Sequence, residues 1–470
     1  MAKYQTYAEY KDSGVEWLEV IPSHWTSIAI KFLALDKNSL FLDGDWIESK
    51  DISDSGIRYI TTGNVGTGFY KEQGSGFITE FTFKKLSCSE VYAGDILISR
   101  LNLPIGRACI VPDLNNRIVT SVDNVIFRPD EEYHPKFLVY LFSSKEYFQN
   151  TENIARGATM QRISRGLLGN IRVVMPSKDE QTQIANFLDH ETAKIDHLIE
   201  KQQQLIELLK EKRQAVISHA VTKGLDPNVP MKDSGVEWLG EVPEHWTVSK
   251  LKYIKSHEQN AFVDGPFGSN LKSEHFVEDG DVYVIESNFA TTGNLETSNL
   301  KRITTKHFET ICRSEAKGGD IIIAKIGARF GSSSILPILD KKAVVSGNSL
   351  KLTVNCKICD VNYANKLLQH LKNEGAIDDG VNGSAQPALS LGGLNTLPFL
   401  LPPLDEQIKI IQSLDLKVSK IDQVISQAKK QILLMQERRT ALISAAVTGK
   451  IDVRNWQSPT VAETHTELSA

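Results

Sequence analysis

The chain writes the same phrase twice. YKDSGVEWLEVIPSHW begins at Tyr10 and MKDSGVEWLGEVPEHW begins at Met231. The copies keep register: Lys11 to Lys232, Trp17 to Trp238, Pro22 to Pro243 and Trp25 to Trp246 are all steps of 221. A second duplication lies further in. PSKDEQTQIANFLDHETAKID starts at Pro176 and PPLDEQIKIIQSLDLKVSKID at Pro402, so that Asp179 to Asp405, Asp196 to Asp422 and Arg213 to Arg439 are steps of 226. These periods are far too long for solenoid repeats of roughly 20–50 residues. One whole module is built twice: the opening phrase, a long irregular segment, then the DEQ segment.

The DEQ segments read as helices. Leu188, Ile195, Leu198, Leu205 and Leu209 in the first, and Leu414, Ile421, Val424, Met435 and Leu442 in the second, follow the three–four alternation of a heptad seam. No Gly or Pro interrupts 179–222 or 405–448. At ~1.5 Å per residue, roughly 40 residues make a rod of about 60 Å. An apolar stripe needs cover, and antiparallel pairing of the two helices is the simplest cover. The segments between carry short β-branched runs such as DILISR (Asp95–Arg100) and DIIIAK (Asp320–Lys325), punctuated by Gly and Asn, which is strand and turn chemistry. The expected fold is α+β: two mixed α/β globules separated by two long antiparallel coiled-coil helices, with a pseudo-two-fold internal repeat. The expected limits are an N-terminal segment 1–22, a first globule 23–178, a helix 179–222, a linker 223–242, a second globule 243–404, a helix 405–449 and a flexible tail 450–470.

A search for catalytic chemistry comes up short. Gly449-Lys450 lacks the upstream Gly of a phosphate loop, and GTGFY at Gly66 lacks the last Gly of a dinucleotide fingerprint. The [ND]PP[FY] tetrapeptide of amino-methyltransferases is missing from the sequence. Asp320 and Lys325 on one strand could suggest a metal nuclease, but a strand with polar ends accounts for them. Cys356 and Cys359 form a single CxxC with no second pair, so ordinary thiols are expected. Trp17, Trp25, Trp238 and Trp246 read as core anchors of the opening phrases. The start has no apolar signal-peptide core, and no apolar run reaches the ~18 residues of a membrane span. A cytoplasmic protein without membrane association is expected. A net charge of −5 argues against holding nucleic acid by bulk charge alone.

KDSGVEWLGEVPEHW, GSAQPALSLGGLNTLPFLLPPLDEQ and DGPFGSNLKS, in this doubled arrangement, resemble the specificity (S) subunit of type I restriction-modification systems. The resemblance covers nearly the whole chain. It implies two target-recognition domains, each reading one half of a split sequence in double-stranded DNA. It implies helical regions that act as a spacer and dock two methyltransferase (M) subunits, alongside restriction (R) subunits. No cofactor is then expected on this chain; S-adenosylmethionine, ATP and Mg belong to the partner subunits. The S chain itself is expected to be non-catalytic.

Base readout needs Arg, Lys, Asn and Gln on projecting loops. In the first globule Arg156, Arg162, Arg165 and Arg172 stand with no acid between Glu152 and Asp179. In the second the candidates are Ser269, Asn270, Lys272, Lys325, Arg329, Asn348 and Gln386. The sequence departs from a clean repeat in two places: GATMQRIS stands where the second copy has GSAQPALS, and DGPFGSNLK shows no close twin in the first globule. A protein-binding scaffold and a cryptic nuclease are the alternatives; salt-dependent DNA binding and metal-dependent cutting would discriminate them.

Overall fold

A computed structural model describes residues 4–36, 38–74, 76–157, 160–327, 329–378, 381–382 and 388–458. The chain divides into two units, Met1–Gln203 with Lys429–Ala470, and Gln204–Ala428. The division cuts both long helices, Lys178–Lys223 and Leu404–Val447. Each globule therefore folds together with a stretch of both.

The two globules share a topology. In the first, an antiparallel sheet runs in the order Leu40–Asp43, Asn124–Arg128, Ile96–Ser99, Ala108–Ile110. In the second, the order Phe262–Asp264, Ser349–Leu352, Ile321–Ala324, Ser333–Ile335 repeats it. The ILIS and IIIA strands are buried along their whole length, which is why they read as continuous apolar runs rather than alternating ones. A second sheet in each globule contains one parallel pair, Ile57–Ile60 with Ile118–Thr120, and Val282–Ile285 with Lys342–Val345.

The repeated phrases have a physical purpose: in each unit, opening phrase and DEQ segment lock together. Trp25 and Trp246 are fully buried, and each indole Nε1 donates to the DEQ glutamate, Glu180 or Glu406, at 3.1 Å. His24 and His245 sit 2.9 and 2.8 Å from the same carboxylates. The next residue, Gln181 or Gln407, accepts the backbone N–H of His134 or Asp360 at 2.8 Å. Those residues are the N-caps of the helices Pro135–Leu141 and Val361–Asn373. Buried carboxylate and amide groups are tolerated because nearly every lone pair and proton finds a partner. Of the other two tryptophans in the opening phrases, Trp17 is half-buried and donates to the Arg172 carbonyl at 3.0 Å. Trp238 lies on the surface, so the expectation of four core anchors is corrected there.

The helix seam also differs in phase from the sequence reading. In the first helix Ala185, Leu188, Thr192, Ile195, Ile199, Gln202, Ile206 and Leu209 are buried or half-buried, in unbroken steps of four and three. Leu198 and Leu205 are exposed. In the second helix Ile411, Leu414, Val418, Ile421, Ile425, Ala428, Ile432, Met435 and Leu442 line the seam, and Val424 is exposed. In the first helix the cause is Thr192. Its hydroxyl donates to the Leu188 carbonyl at 2.6 Å and so can occupy a seam position. An apolar count skips that step, and the next residues fall one place early. In the second helix the counterpart of Thr192 is the apolar Val418; there Val424, the counterpart of Leu198, lies beside the equally apolar Ile425, which takes the seam position.

Within each unit one ion pair ties the helices. Arg213 Nε lies 2.9 Å from Asp422 Oδ1, and Arg439 Nε 2.8 Å from Asp196 Oδ1. In both pairs a later residue of one helix meets an earlier residue of the other, the signature of antiparallel neighbours. The expected flexible tail is corrected as well, as far as Ser458. Ile451 and Val453 are buried, and Trp456 stacks edge-on against Phe187 with ring centres 5.6 Å apart. Residues 459–470 lie outside the described residues.

Candidate nucleic-acid interface

Four chain segments converge at one end of the antiparallel sheet in each globule. In the first they are the loop after Asp43, the stretch after Ser99, the turn around Asp123 and the loop Arg156–Ile163. Backbone bonds hold them: Gly44 N to Asn124 O at 2.9 Å, Arg100 N to Asp123 O at 2.8 Å, and Ile163 N to Arg100 O at 3.0 Å. The second globule repeats all three: Gly265 N to Ser349 O at 2.9 Å, Lys325 N to Asn348 O at 2.8 Å, and Leu389 N to Lys325 O at 2.9 Å. Ile163 of GATMQRIS and Leu389 of GSAQPALS therefore take equivalent places. DGPFGSNLK shares only its opening dipeptide with the first globule: Asp43-Gly44 maps onto Asp264-Gly265 by the same step as the opening phrases.

The glycine of that dipeptide is sterically required. A Cβ on Gly44 would lie 2.3 Å from the Ser121 carbonyl oxygen, and one on Gly265 only 1.9 Å from that of Ser346. The aspartates turn inward to cations from other elements: Arg100 and Lys325 just after the strands Ile96–Ser99 and Ile321–Ala324, Arg165 at the start of the helix Arg165–Asn170, and Arg313 in the 3-10 turn Cys312–Ser314. Asp43 lies 3.2 Å from Arg100 and 3.3 Å from Arg165. Asp264 lies 3.2 Å from Lys325 and 2.7 Å from Arg313. Arg100 is almost fully buried; burial lowers its pKa and the Asp43 carboxylate opposes that shift. Arg100, outside the nominated set, was legible as the counterpart of Lys325 in DILISR and DIIIAK.

The nominated residues divide sharply. Arg156, Arg162 and Arg165 all reach the first junction. Arg162 is ion-paired with Asp123, and Arg165 also donates to the Phe41 carbonyl at 3.0 Å. The acids missing from the local sequence arrive from other strands, so only Arg156 is exposed without a side-chain partner among the described residues. Arg172 stands apart, its guanidinium on the Ser27 carbonyl at 2.7 Å. In the second unit Lys325 is committed to Asp264, while Asn348 and Arg329 are exposed with unpaired side chains among the described residues. Lys272 and Asn348 line a cleft of about 590 Å³ shared with Ser287, Asn288, Glu286 and Lys301. Ser269 and Asn270 occupy its adjoining loop, and Asn270 O lies 2.9 Å from His307 Nε2. Gln386 lies outside the described residues. Asp320, the suggested metal ligand, caps its own turn by accepting Lys317 N at 2.8 Å, as Asp95 accepts Tyr92 N at 2.8 Å.

Two like globules, one presenting arginines and the other a lysine and an amide on the same backbone frame, define a tandem target-recognition protein. The family model for the type I restriction modification DNA specificity domain matches twice, over residues 40–208 and 267–434. The chain belongs to that family. It is 23% identical over 471 residues to the type I restriction enzyme MjaIX specificity subunit of Methanocaldococcus jannaschii, covering 96% of this chain and 99% of that one. It is 24% identical over 322 residues to the MjaVIII specificity subunit of the same organism, covering 68% of this chain and 71% of that one. Among solved structures, it resembles a chain described for complex assembly and conformational transition of the type I R-M system, with a TM-score of 0.65 at 15% identity, covering 92% of this chain and 99% of that one. The HsdS subunit from Thermoanaerobacter tengcongensis matches with a TM-score of 0.52 at 15% identity, covering 92% and 98%. These likenesses agree with the duplicated α+β fold. No helix among the described residues is long and apolar enough to cross a membrane.

Proposed function

We propose that this chain is the non-catalytic DNA-recognition subunit of a type I restriction-modification complex, reading a bipartite, asymmetric target with one globule per half-site. The observation that carries the reading is the doubled junction: one backbone frame, built twice, carrying different side chains. An Asn amide can bond the adenine edge in the major groove, and Arg or Lys can bond guanine or phosphate. Two frames with different side chains suit two different half-sequences.

Exposed apolar side chains on the helices support docking of two methyltransferase subunits. Leu198 and Val424 occupy equivalent places outside the seam, as do Leu208 and Leu434, and all four are exposed. S-adenosylmethionine would be held by those M subunits, and ATP and Mg by restriction subunits, in the cytoplasm. This chain would supply the address. Mapping methylated adenines in the source genome, followed by binding of the co-purified complex to a duplex carrying the mapped sequence, tests the reading. Two unlike half-sequences separated by a fixed gap, bound with a steep salt dependence, are expected. A single uninterrupted target, or methylation by the pure chain alone, would contradict it.

A further inference from the structure

We propose that Trp46 and Phe267 are equivalent DNA contacts, one in each half-site, each presenting an aromatic face to a sugar or a thymine methyl. The proposal rests on the DNA-recognition reading above. The two residues are related by the step of the opening phrases, each two places after the glycine of the Asp-Gly pair. That glycine is seated against a backbone carbonyl and its aspartate is tied inward, so the residues that follow are carried outward on a firmly held stem. Trp46 is 67% exposed and Phe267 69%. An isolated exposed ring is unremarkable in a surface that is largely apolar anyway; the same ring exposed at the same place in both copies of a diverged domain is a repeated feature.

Two other exposed positions sharpen the choice. Phe32 and Tyr253 are related by the same step, but their rings are covered by Lys31 and Lys252 at 4.9 and 4.8 Å. Phe81 is exposed in the first unit; counted from the equivalent N-cap threonines Thr79 and Thr304, its counterpart is Lys306. Trp46 and Phe267 have no ring or cation over their faces among the described residues; Trp46 Nε1 reaches only Glu48, at 3.5 Å. Phe267 adjoins the loop whose Lys272 lines the cleft with Asn348. Cation, amide and aromatic face are the three chemistries that meet phosphate, base edge, and sugar or thymine methyl.

The full chain with its methyltransferase partner is titrated against a duplex carrying the target mapped by genomic methylation. Trp46→Ala and Phe267→Ala should each weaken binding by about 10- to 150-fold, the range for withdrawing an aromatic side chain from water, ~1.5–3 kcal/mol. The log–log salt slope should stay unchanged, because an uncharged contact releases no counterion. Trp46→Phe and Phe267→Tyr should stay close to the parent, and Phe81→Ala and Phe32→Ala should bind as the parent does. Wild-type affinity in both alanine variants overturns the proposal, and so does a loss of affinity accompanied by a changed slope or a lowered melting temperature. A parent complex that fails to prefer the mapped duplex over random sequence overturns the underlying DNA reading instead.

Discussion

The two junctions share a backbone and differ in paired side chains. In the first unit Asp123 holds Arg162. In the second, the residue at the place of Asp123 is Asn348, and Ala388 stands in the place of Arg162, bridged to Ile326 as Arg162 is to Leu101. Acid and base have been replaced together by amide and methyl. The inward aspartates keep their role, but the second cation comes from Arg165 in one unit and from Arg313, far away in sequence, in the other. The frame rests on N–H to carbonyl bonds that, apart from the required glycine, any residue but proline can make. The side chains are thereby free to change, provided that no half of an ion pair is stranded. The lock between opening phrase and DEQ segment shows the opposite behaviour. There the side chains themselves are the contact, and they recur unchanged.

The largest expected effect separates that lock from its surface imitation. Trp25→Ala should destabilise by about 3–5 kcal/mol, chiefly through the cavity left in the core and also through the loss of one of the buried hydrogen bonds to Glu180. Trp238→Ala, on the surface, should stay within about 0.5 kcal/mol. Chemical denaturation followed by circular dichroism measures both; equal costs would contradict the assignment of their places.

The seam gives the next contrast. Ile206→Ala should cost about 2–4 kcal/mol, and the adjacent Leu205→Ala less than about 1 kcal/mol. The reverse order would restore the phase read from the sequence. At the junctions, Asp123→Asn should free Arg162 for phosphate and steepen the salt slope by up to about 0.9. Asn348→Asp should weaken binding at the second half-site by roughly 1–3 kcal/mol. If Asp123→Asn leaves both affinity and slope unchanged, Arg162 is a structural partner only. The smallest effect belongs to the helix ion pairs. Double-mutant cycles on Arg213–Asp422 and Arg439–Asp196 should each return about 0.2–1 kcal/mol, since both pairs are partly solvated.

Much of this architecture was legible because the chain states it twice. The two steps, 221 and 226, marked the module, and the unbroken runs from Asp179 and Asp405 marked the helices. The seam's phase was misread in the first helix because hydrophobicity is blind to Thr192, a polar residue satisfied by its own helix, and in the second because Val424 and Ile425 are equally apolar neighbours. The arginine cluster was legible as charge but not as free charge, since Asp43 and Asp123 arrive from strands far away in sequence. Trp46 and Phe267 could have been aligned from the first step alone. Their exposure could not, because burial is a property of the folded neighbours.

Replacing residues 243–404 with a copy of 23–178 tests the central claim most directly, that each unit reads its own half-sequence on a shared frame. The variant complex is expressed, and the methylated adenines are mapped across the genome. The account predicts that the second half-sequence disappears and that the first occurs twice, separated by a fixed gap. A target that keeps its original second half, or changes in both halves at once, would contradict independent readout.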